Sequence, residues 1–494
     1  MRQRFEQQLN LLITPISDVK FPIKSRDELP PVLRALQYIF ITPELNEKIF
    51  QLLEDKISKG KKNTGRKGMD LWHVFVLAVI RHTLDTNWDR LHLMANGDKY
   101  IRNILGVIAI TDEDDFEYQN ILDNVSLIDE SLLFSINSIV AEAGYAITKK
   151  KDDEALQLKT DSYALETNVH FPTDLNLLWD SSRKCLDTIG KLKPLIELPN
   201  CRKINHIRKT LKSQFRQTSH QVFKGKKEEQ KKQSVKEYLQ QALALNVRCQ
   251  AILKNEIKIK SLLPNIEKRV LILLDQLGEY LGYATKFIDQ IERRLLKEES
   301  IPANEKIYSI FEDHTEWITK GKLNKRVELG HLLLITTDQY QYIVDYKIME
   351  GEKDASQIPS LTQRLEQKFA EKEIQSHSFD KGFWSKDNLQ ILQESKIKEA
   401  ILPKRGKHNK DDKDRESSKS FKKLRNQHSA VESNINMLEH HGLNRCMDKG
   451  MHGFKRCVGL SVLAYNLHIM GNQLMAIERA ERENRKSALF KKAA

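Results

Sequence analysis

The sequence has no uninterrupted run of about 18 apolar residues, the length a membrane-spanning helix needs, so no membrane span is expected. Its N-terminus, "MRQRFEQQLNLLITPISD", carries charges inside its apolar stretch and lacks the continuous hydrophobic region of a signal peptide. Cysteine is scarce. The five present (Cys185, Cys201, Cys249, Cys446 and Cys457) are odd in number and scattered, which argues against a disulfide framework and for a reducing compartment. No cysteine and histidine cluster has zinc spacing, since Cys446, His452 and Cys457 stand too far apart in sequence. These absences lead to the expectation of a cytoplasmic protein.

What the chain has in quantity is charge. With 30% charged residues, 40% hydrophobic residues and only 12 prolines, it reads as globular and helix-rich, with a well-solvated surface. The 81 Lys and Arg against 68 Asp and Glu leave a net charge of +13. Such a balance suits a polyanionic partner, because cations that neutralise phosphates release counterions. At 494 residues there is room for two to four domains.

Residues 1–150 read as helical throughout and as a domain of their own. "MDLWHVFVLAVIRHTL" is apolar almost all round, the pattern of a buried helix. Before it lies the basic, glycine-punctuated "KGKKNTGRKGM", whose Arg66 and Lys67 could contact a phosphate backbone or simply be solvated. At "EALQLKTDSYAL" the texture changes to that of a strand, with Leu156, Leu158 and Thr160 alternating with polar residues and Asp161 at its end. From Trp179 to Glu299 only helix signal appears. Its first half is rich in cations and its second half is heptad-like, so an antiparallel helical pair is expected. Strand texture returns in "RVELGHLLLITTDQYQYIVDYKIMEGE", a hairpin turning at Thr337 to Gln339. Then come a helix opened by Pro359, a strand "EIQSHSFDKGF" ending at Asp380, a helix "SKDNLQILQES", a strand "KEAILPKRG" and a last helix.

That last helix lies in "RNQHSAVESNINMLEHHGLNRC". Val431, Ile435 and Leu438 form an apolar stripe, while Arg425, His428, Glu432 and Glu439 gather on a neighbouring face, and Gly442 reads as the cap that ends it. With the helical block removed, the order of elements is that of a ribonuclease-H-like fold with a mixed five-stranded sheet. In such a sheet the ends of the first and fourth strands lie side by side. Asp161 would then stand near Asp380, and the last helix would bring Glu432 to the same place. Taken singly, each aspartate could equally be a turn former. Converging carboxylates raise one another's pKa, and divalent cations resolve that conflict. Two Mg²⁺ ions, with Mn²⁺ as a substitute, would suit phosphodiester chemistry on these oxygen ligands.

The chain resembles bacterial insertion-sequence transposases of the DDE type, most closely the group classified apart from the main families. The resemblance is carried by "GRKGMDLWHVFVLAVIRHTLDTNWDRLHLMANGDKYIRNILGV", "TDSYALETNVHFPTDLNLLWD", "HTEWITKGKLNKRVELGH", "SFDKGFWS" and "RNQHSAVESNINMLEHHGLNRC". It implies that Asp161, Asp380 and Glu432 hold Mg²⁺ for strand nicking and strand transfer, on transposon-end inverted repeats and target DNA. It also implies a homodimer or higher oligomer on DNA. Related enzymes carry a Tyr, an Arg and a Lys seven before, four before and about seven after the glutamate, where this chain has Arg425, His428 and Glu439. Arg425 and His428 therefore remain candidates for DNA contact, and the lysine's role has no carrier. Lys320 and Lys322, in a loop with Gly321, are further candidates for gripping phosphate.

The expected organisation is a helical N-terminal domain (1–150) for DNA-end recognition, a catalytic core (151–182 and 300–442), a helical insertion (183–299), and C-terminal helices with a basic tail (443–494). Two rival functions stay open: another two-metal nuclease on the same fold, and a domesticated derivative that only binds DNA.

Overall fold

The computed structural model describes residues 2–7, 12–58, 68–111, 115–151, 153–198, 203–254, 268–319 and 327–493, with side chains as far as 485. Arg66, Lys67, Lys320 and Lys322 lie outside the described residues. The architecture is α+β, with 64% helix and a mixed seven-stranded sheet. The chain divides into two compact units, one of residues 1–168 and 318–494 and the other of residues 169–317.

The first unit opens with α1 (Leu29–Ile41), α2 (Pro43–Leu53), α3 (Leu71–Thr83), α4 (Trp88–Gly97), α5 (Lys99–Leu105), α6 (Tyr118–Val125) and α7 (Glu130–Thr148). The starts of α4, α5 and α7 follow from their sequence: the side chains of Asn87, Asp98 and Asp129 accept backbone N–H bonds from the first turn. All 13 residues of α3 are buried, as its all-round apolar pattern requires. Among the described helices α7 alone is long and apolar enough to cross a bilayer, a length reached although polar residues interrupt its apolar run. It is tied into this core, because the Asn137 side chain in its middle donates to the Ile343 carbonyl at 3.2 Å.

The second unit holds α8 (Asp174–Leu192), α9 (Ile204–Lys224), α10 (Glu228–Lys254) and α11 (Lys268–Ile291). Among the described residues four helices thus stand where a helical pair was expected. Their separate core includes Leu178, Cys185, Leu211, Tyr238, Cys249, Leu277 and Phe287.

The sheet comprises β1 (Leu156–Thr167), β2 (Glu316–Ile318), β3 (Glu328–Thr337), β4 (Ile343–Met349), β5 (Ile374–Phe379), β6 (Glu399–Ile401) and β7 (Arg445–Cys446). β1 is central. It runs antiparallel to β3, which is antiparallel to β4, and parallel to β5, which is parallel to β6. β7 pairs with the far end of β1, at Glu166 and Thr167. Two expectations change here. The sheet has seven strands rather than five, because β2 and β7 are too short to leave a periodicity. Asp161 is not the end of its strand, because β1 continues to Thr167.

Later in the chain come α12 (Ile358–Lys368), α13 (Lys386–Glu394), α14 (Lys410–Ser417), α15 (Lys419–His428), α16 (Ala430–Leu438) and α17 (Gly450–Ala493). The single helix expected around Glu432 is broken at Ser429 into α15 and α16, and Gly442 beyond it adopts φ +89°, the left-handed conformation that glycine supplies. The C-terminal region is no peripheral tail. Residues 457–467 of α17 are buried all round, and α17 packs against α1, α3 and α7. Residues 1–150 accordingly share one hydrophobic core with the sheet and α17. Asn466, fully buried on α17, accepts from Ile343 N–H at 2.8 Å and donates to the Ile343 carbonyl at 2.9 Å and the Asn137 side chain at 2.8 Å. One amide thereby joins α17, α7 and β4.

The crossing of α17 over α1 depends on Gly471. A Cβ there would lie 1.8 Å from the Pro31 carbonyl oxygen, a backbone atom that no rotamer change can move aside. Gly471→Ala is expected to destabilise the first unit by about 2 kcal/mol or more. Urea denaturation followed by the fluorescence of Trp72, buried in the same core, checks this.

Candidate active site

The register of β1 is fixed by a buried polar knot. Thr160 Oγ1 lies 2.7 Å from Thr336 Oγ1 on β3 and 2.7 Å from His377 Nε2 on β5, and none of the three residues is exposed. Burial pushes the His377 imidazole down to about 3, so it is neutral at pH 7. Its Nδ1 is buried without a hydrogen-bond partner among the described residues. An orphaned N–H costs more than an orphaned lone pair on a weak acceptor, which assigns the proton to Nε2. His377 then donates to Thr160, and Thr160 donates to Thr336.

This knot aligns Lys159 with Ser378 and Thr160 with Phe379. One rung further, the next residues are Asp161 and Asp380. Strand alternation puts Asp161 on the face of Lys159, and Asp380, in extended backbone, follows Ser378 by two residues. Asp161 is half-buried and accepts the N–H of Ser162 at 2.7 Å. Asp380 is exposed and in extended conformation, and stands just before the short turn Lys381–Phe383. The burial pattern of β1 explains the opening: Gln157, Lys159 and Asp161 are half-buried, whereas Tyr163 and Thr167 on the same face are buried. Asp161 is the last residue before the cover begins.

α15 and α16 pack across this face. His428 Nδ1 lies 3.0 Å from Ser378 Oγ, two residues before Asp380. Burial, with Lys159 assisting and the Asp380 charge opposing, pushes His428 down to about 4. It is therefore an uncharged hydrogen-bonding group at pH 7, and its Nε2 is buried without a partner among the described residues. In α16, Asn434 donates to Thr337 Oγ1 at 3.3 Å, and Thr337 sits opposite Lys159 in the β1–β3 register. Glu432, in the first turn of α16 and one turn beyond His428, is exposed. His428 is thus held beside the strand end that carries Asp380, and Asp161 and Asp380 each follow the last aligned pair of the β1–β5 ladder. Glu432 rides on the covering helix, and no group of three or more metal-binding side chains is already closed among the described residues. Arg425 is exposed, with its guanidinium 4.0 Å from Glu416. Glu439 is exposed as well.

One participant gives no signal in the sequence. Asp354 accepts the Ser162 hydroxyl at 2.5 Å, and its other oxygen lies 2.9 Å from where a Cβ on Gly382 would stand. From the opposite face it meets both segments that carry the aspartates, Ser162 beside Asp161 and Gly382 just after Asp380. A side chain at 382 would strike it, so the glycine permits the close approach. Chemically the open face offers hard oxygen donors, a half-buried ammonium at Lys159 and a neutral imidazole. Such a set suits a divalent cation or phosphate oxygens rather than an apolar ligand.

Thr160→Val removes the central hydroxyl and leaves His377 Nε2 unsatisfied, which is expected to cost about 2 kcal/mol. Thr160→Ser should recover most of it. Amide hydrogen exchange at Asp161 and Asp380, faster in the valine variant and near wild type in the serine variant, checks that the knot holds this register. Comparison of the chain with protein-family profiles, with curated proteins and with solved structures gives no match.

Proposed function

We propose that the protein is a DNA transposase of the DDE type, which hydrolyses phosphodiester bonds at inverted-repeat ends and transfers the strand to target DNA. The observation that carries this reading is that Asp161 and Asp380 are the residues immediately following Thr160 and Phe379, the last aligned pair of the β1–β5 ladder. The strand order β4-β3-β1-β5-β6, antiparallel on one side of β1 and parallel on the other, supports a ribonuclease-H-like core.

The donor set fits Mg²⁺, an ion held by one or two carboxylates together with substrate phosphates rather than by an all-protein cage. Asp161 and Asp380 would hold it, with Glu432 contributing from α16. When bound, the metal makes a water or a 3′-hydroxyl more acidic and stabilises the leaving oxygen. The chain's own part is positioning. The Thr160 knot holds the two strands in register, and Asn434 anchors α16 above Lys159. His428, neutral, can donate or accept one hydrogen bond toward a phosphate oxygen. Arg425, exposed, can supply charge. Lys320, Lys322, Arg66 and Lys67 belong to the same proposal as phosphate contacts. Work on two transposon ends calls for at least a dimer on DNA, in the bacterial cytoplasm.

The test is Mg²⁺-dependent cleavage of duplex DNA carrying the inverted repeats that flank the gene. Asp161→Asn, Asp380→Asn and Glu432→Gln should each lower cleavage by at least about 100-fold, since even groups behind metal ligands cost 10–100-fold. Full activity in the Glu432 variant would remove it from the site. Full activity in either aspartate variant would overturn the reading, and cleavage of any duplex regardless of its ends would favour a general two-metal nuclease.

A further inference from the structure

The second unit carries a charged surface that this chemistry does not use. Helix α9, "INHIRKTLKSQFRQTSHQVFK", contains no aspartate or glutamate over 21 residues. Its cations are ordered. Lys209, Lys212, Arg216, His220 and Lys224 follow one another at spacings of three or four residues, which places them on one helical face, and all five are exposed. Lys226 and Lys227, just beyond Gly225, are exposed too.

These side chains are not engaged by neighbouring carboxylates. The one α9 cation in an ion pair among the described residues is Arg208, at the edge of the stripe, which meets Asp187 at 2.7 Å. Glu237 on α10 accepts instead from Gln214 and Gln233. Glu228 at the start of α10 pairs with Lys231 at 2.6 Å. Four unpaired cations along some 15 residues of helix repel one another, and the chain tolerates this only because water solvates them.

We propose that this face of α9 is a binding surface for the phosphate backbone of duplex DNA, separate from the carboxylate site. From Lys209 to Lys224 the stripe runs about 22 Å, at 1.5 Å per residue. That length matches about six base pairs at 3.4 Å each. A lipid surface fits less well, because Phe223 is the one large apolar side chain that α9 exposes among the described residues: Leu211 is buried, and Ile207, Phe215 and Val222 pack into the unit's core, so no continuous apolar face is left to immerse. The stripe reads no bases in this account. It supplies salt-dependent, sequence-independent affinity, and the choice of DNA over other polyanions rests on the proposed transposase activity.

The experiment uses the full chain and a labelled 30-base-pair duplex of arbitrary sequence, with affinity measured across a range of salt concentrations. Combined Lys209→Ala, Lys212→Ala, Arg216→Ala and Lys224→Ala should reduce the slope of log affinity against log salt by about 3.6, at about 0.9 per phosphate contact. Because the four side chains are exposed, thermal unfolding should be unchanged. A charge-preserving variant with Lys209→Arg, Lys212→Arg, Arg216→Lys and Lys224→Arg should keep the wild-type slope. An unchanged slope in the alanine variant overturns the proposal, as does absence of duplex binding by the wild type. Loss of binding only to single-stranded RNA, or to phosphatidylserine vesicles, with duplex binding intact overturns it too and names the other partner. Salt-dependent duplex binding through the stripe by a chain that cleaves nothing would defeat the transposase reading while leaving this one standing.

Discussion

The hydroxyl of Thr160 is where the structure concentrates its specificity. A one-residue slip of β1 against β5 would turn Asp161 to the opposite face and separate it from Asp380. Apolar packing alone resists such a slip weakly, because Leu156 and Leu158 would exchange with Gln157 and Lys159 at a cost spread over a half-buried face. A fully buried hydroxyl with two partners at 2.7 Å resists it strongly, since any other register leaves a histidine nitrogen and two hydroxyls unsatisfied in the core. The whole open face then follows: Ser378 beneath His428, Lys159 opposite Thr337, and the aspartates abreast at the rung where the cover begins.

A second polar anchor holds the frame that carries this sheet. Asn466 satisfies both backbone groups of Ile343 at the start of β4 and reaches Asn137 on α7, within a segment of α17 that is otherwise apolar. Leucine at that position could fill the volume, but it would leave the Ile343 N–H without its partner. The frame and the site thus share one device, a buried side chain that gives a unique answer where hydrophobic contacts would accept several.

Much of this was legible in the sequence, and the exceptions have physical causes. The buried run of α3, the hairpin and the strand ending before Asp380 are local patterns, and the chain adopts them. The strand pattern of β1 reads as ending at Asp161 because its buried residues change from even to odd positions just there, at Ser162 and Tyr163. An alternation that shifts phase looks like an ending. Residues 443–494 read as C-terminal helices with a basic tail, and that residues 457–467 enter the same core as α1, α3 and α7 is a tertiary fact. Asp354 could not be found from its neighbours in sequence, since its role arises from Ser162 and Gly382, which are close only in space. His428 was expected as a basic contact. Its burial against Ser378, a tertiary fact, leaves it uncharged.

The central claim is that Asp161 and Asp380 act as one unit on a shared cation. A double-mutant cycle on Mn²⁺ binding, followed by the loss of free-ion signal in electron paramagnetic resonance with the protein bound to duplex DNA, tests it most directly. The account predicts that Asp161→Asn and Asp380→Asn each weaken binding strongly and that the double variant is little worse than either. Independent effects that add in full, or Mn²⁺ binding untouched by both changes, would contradict it.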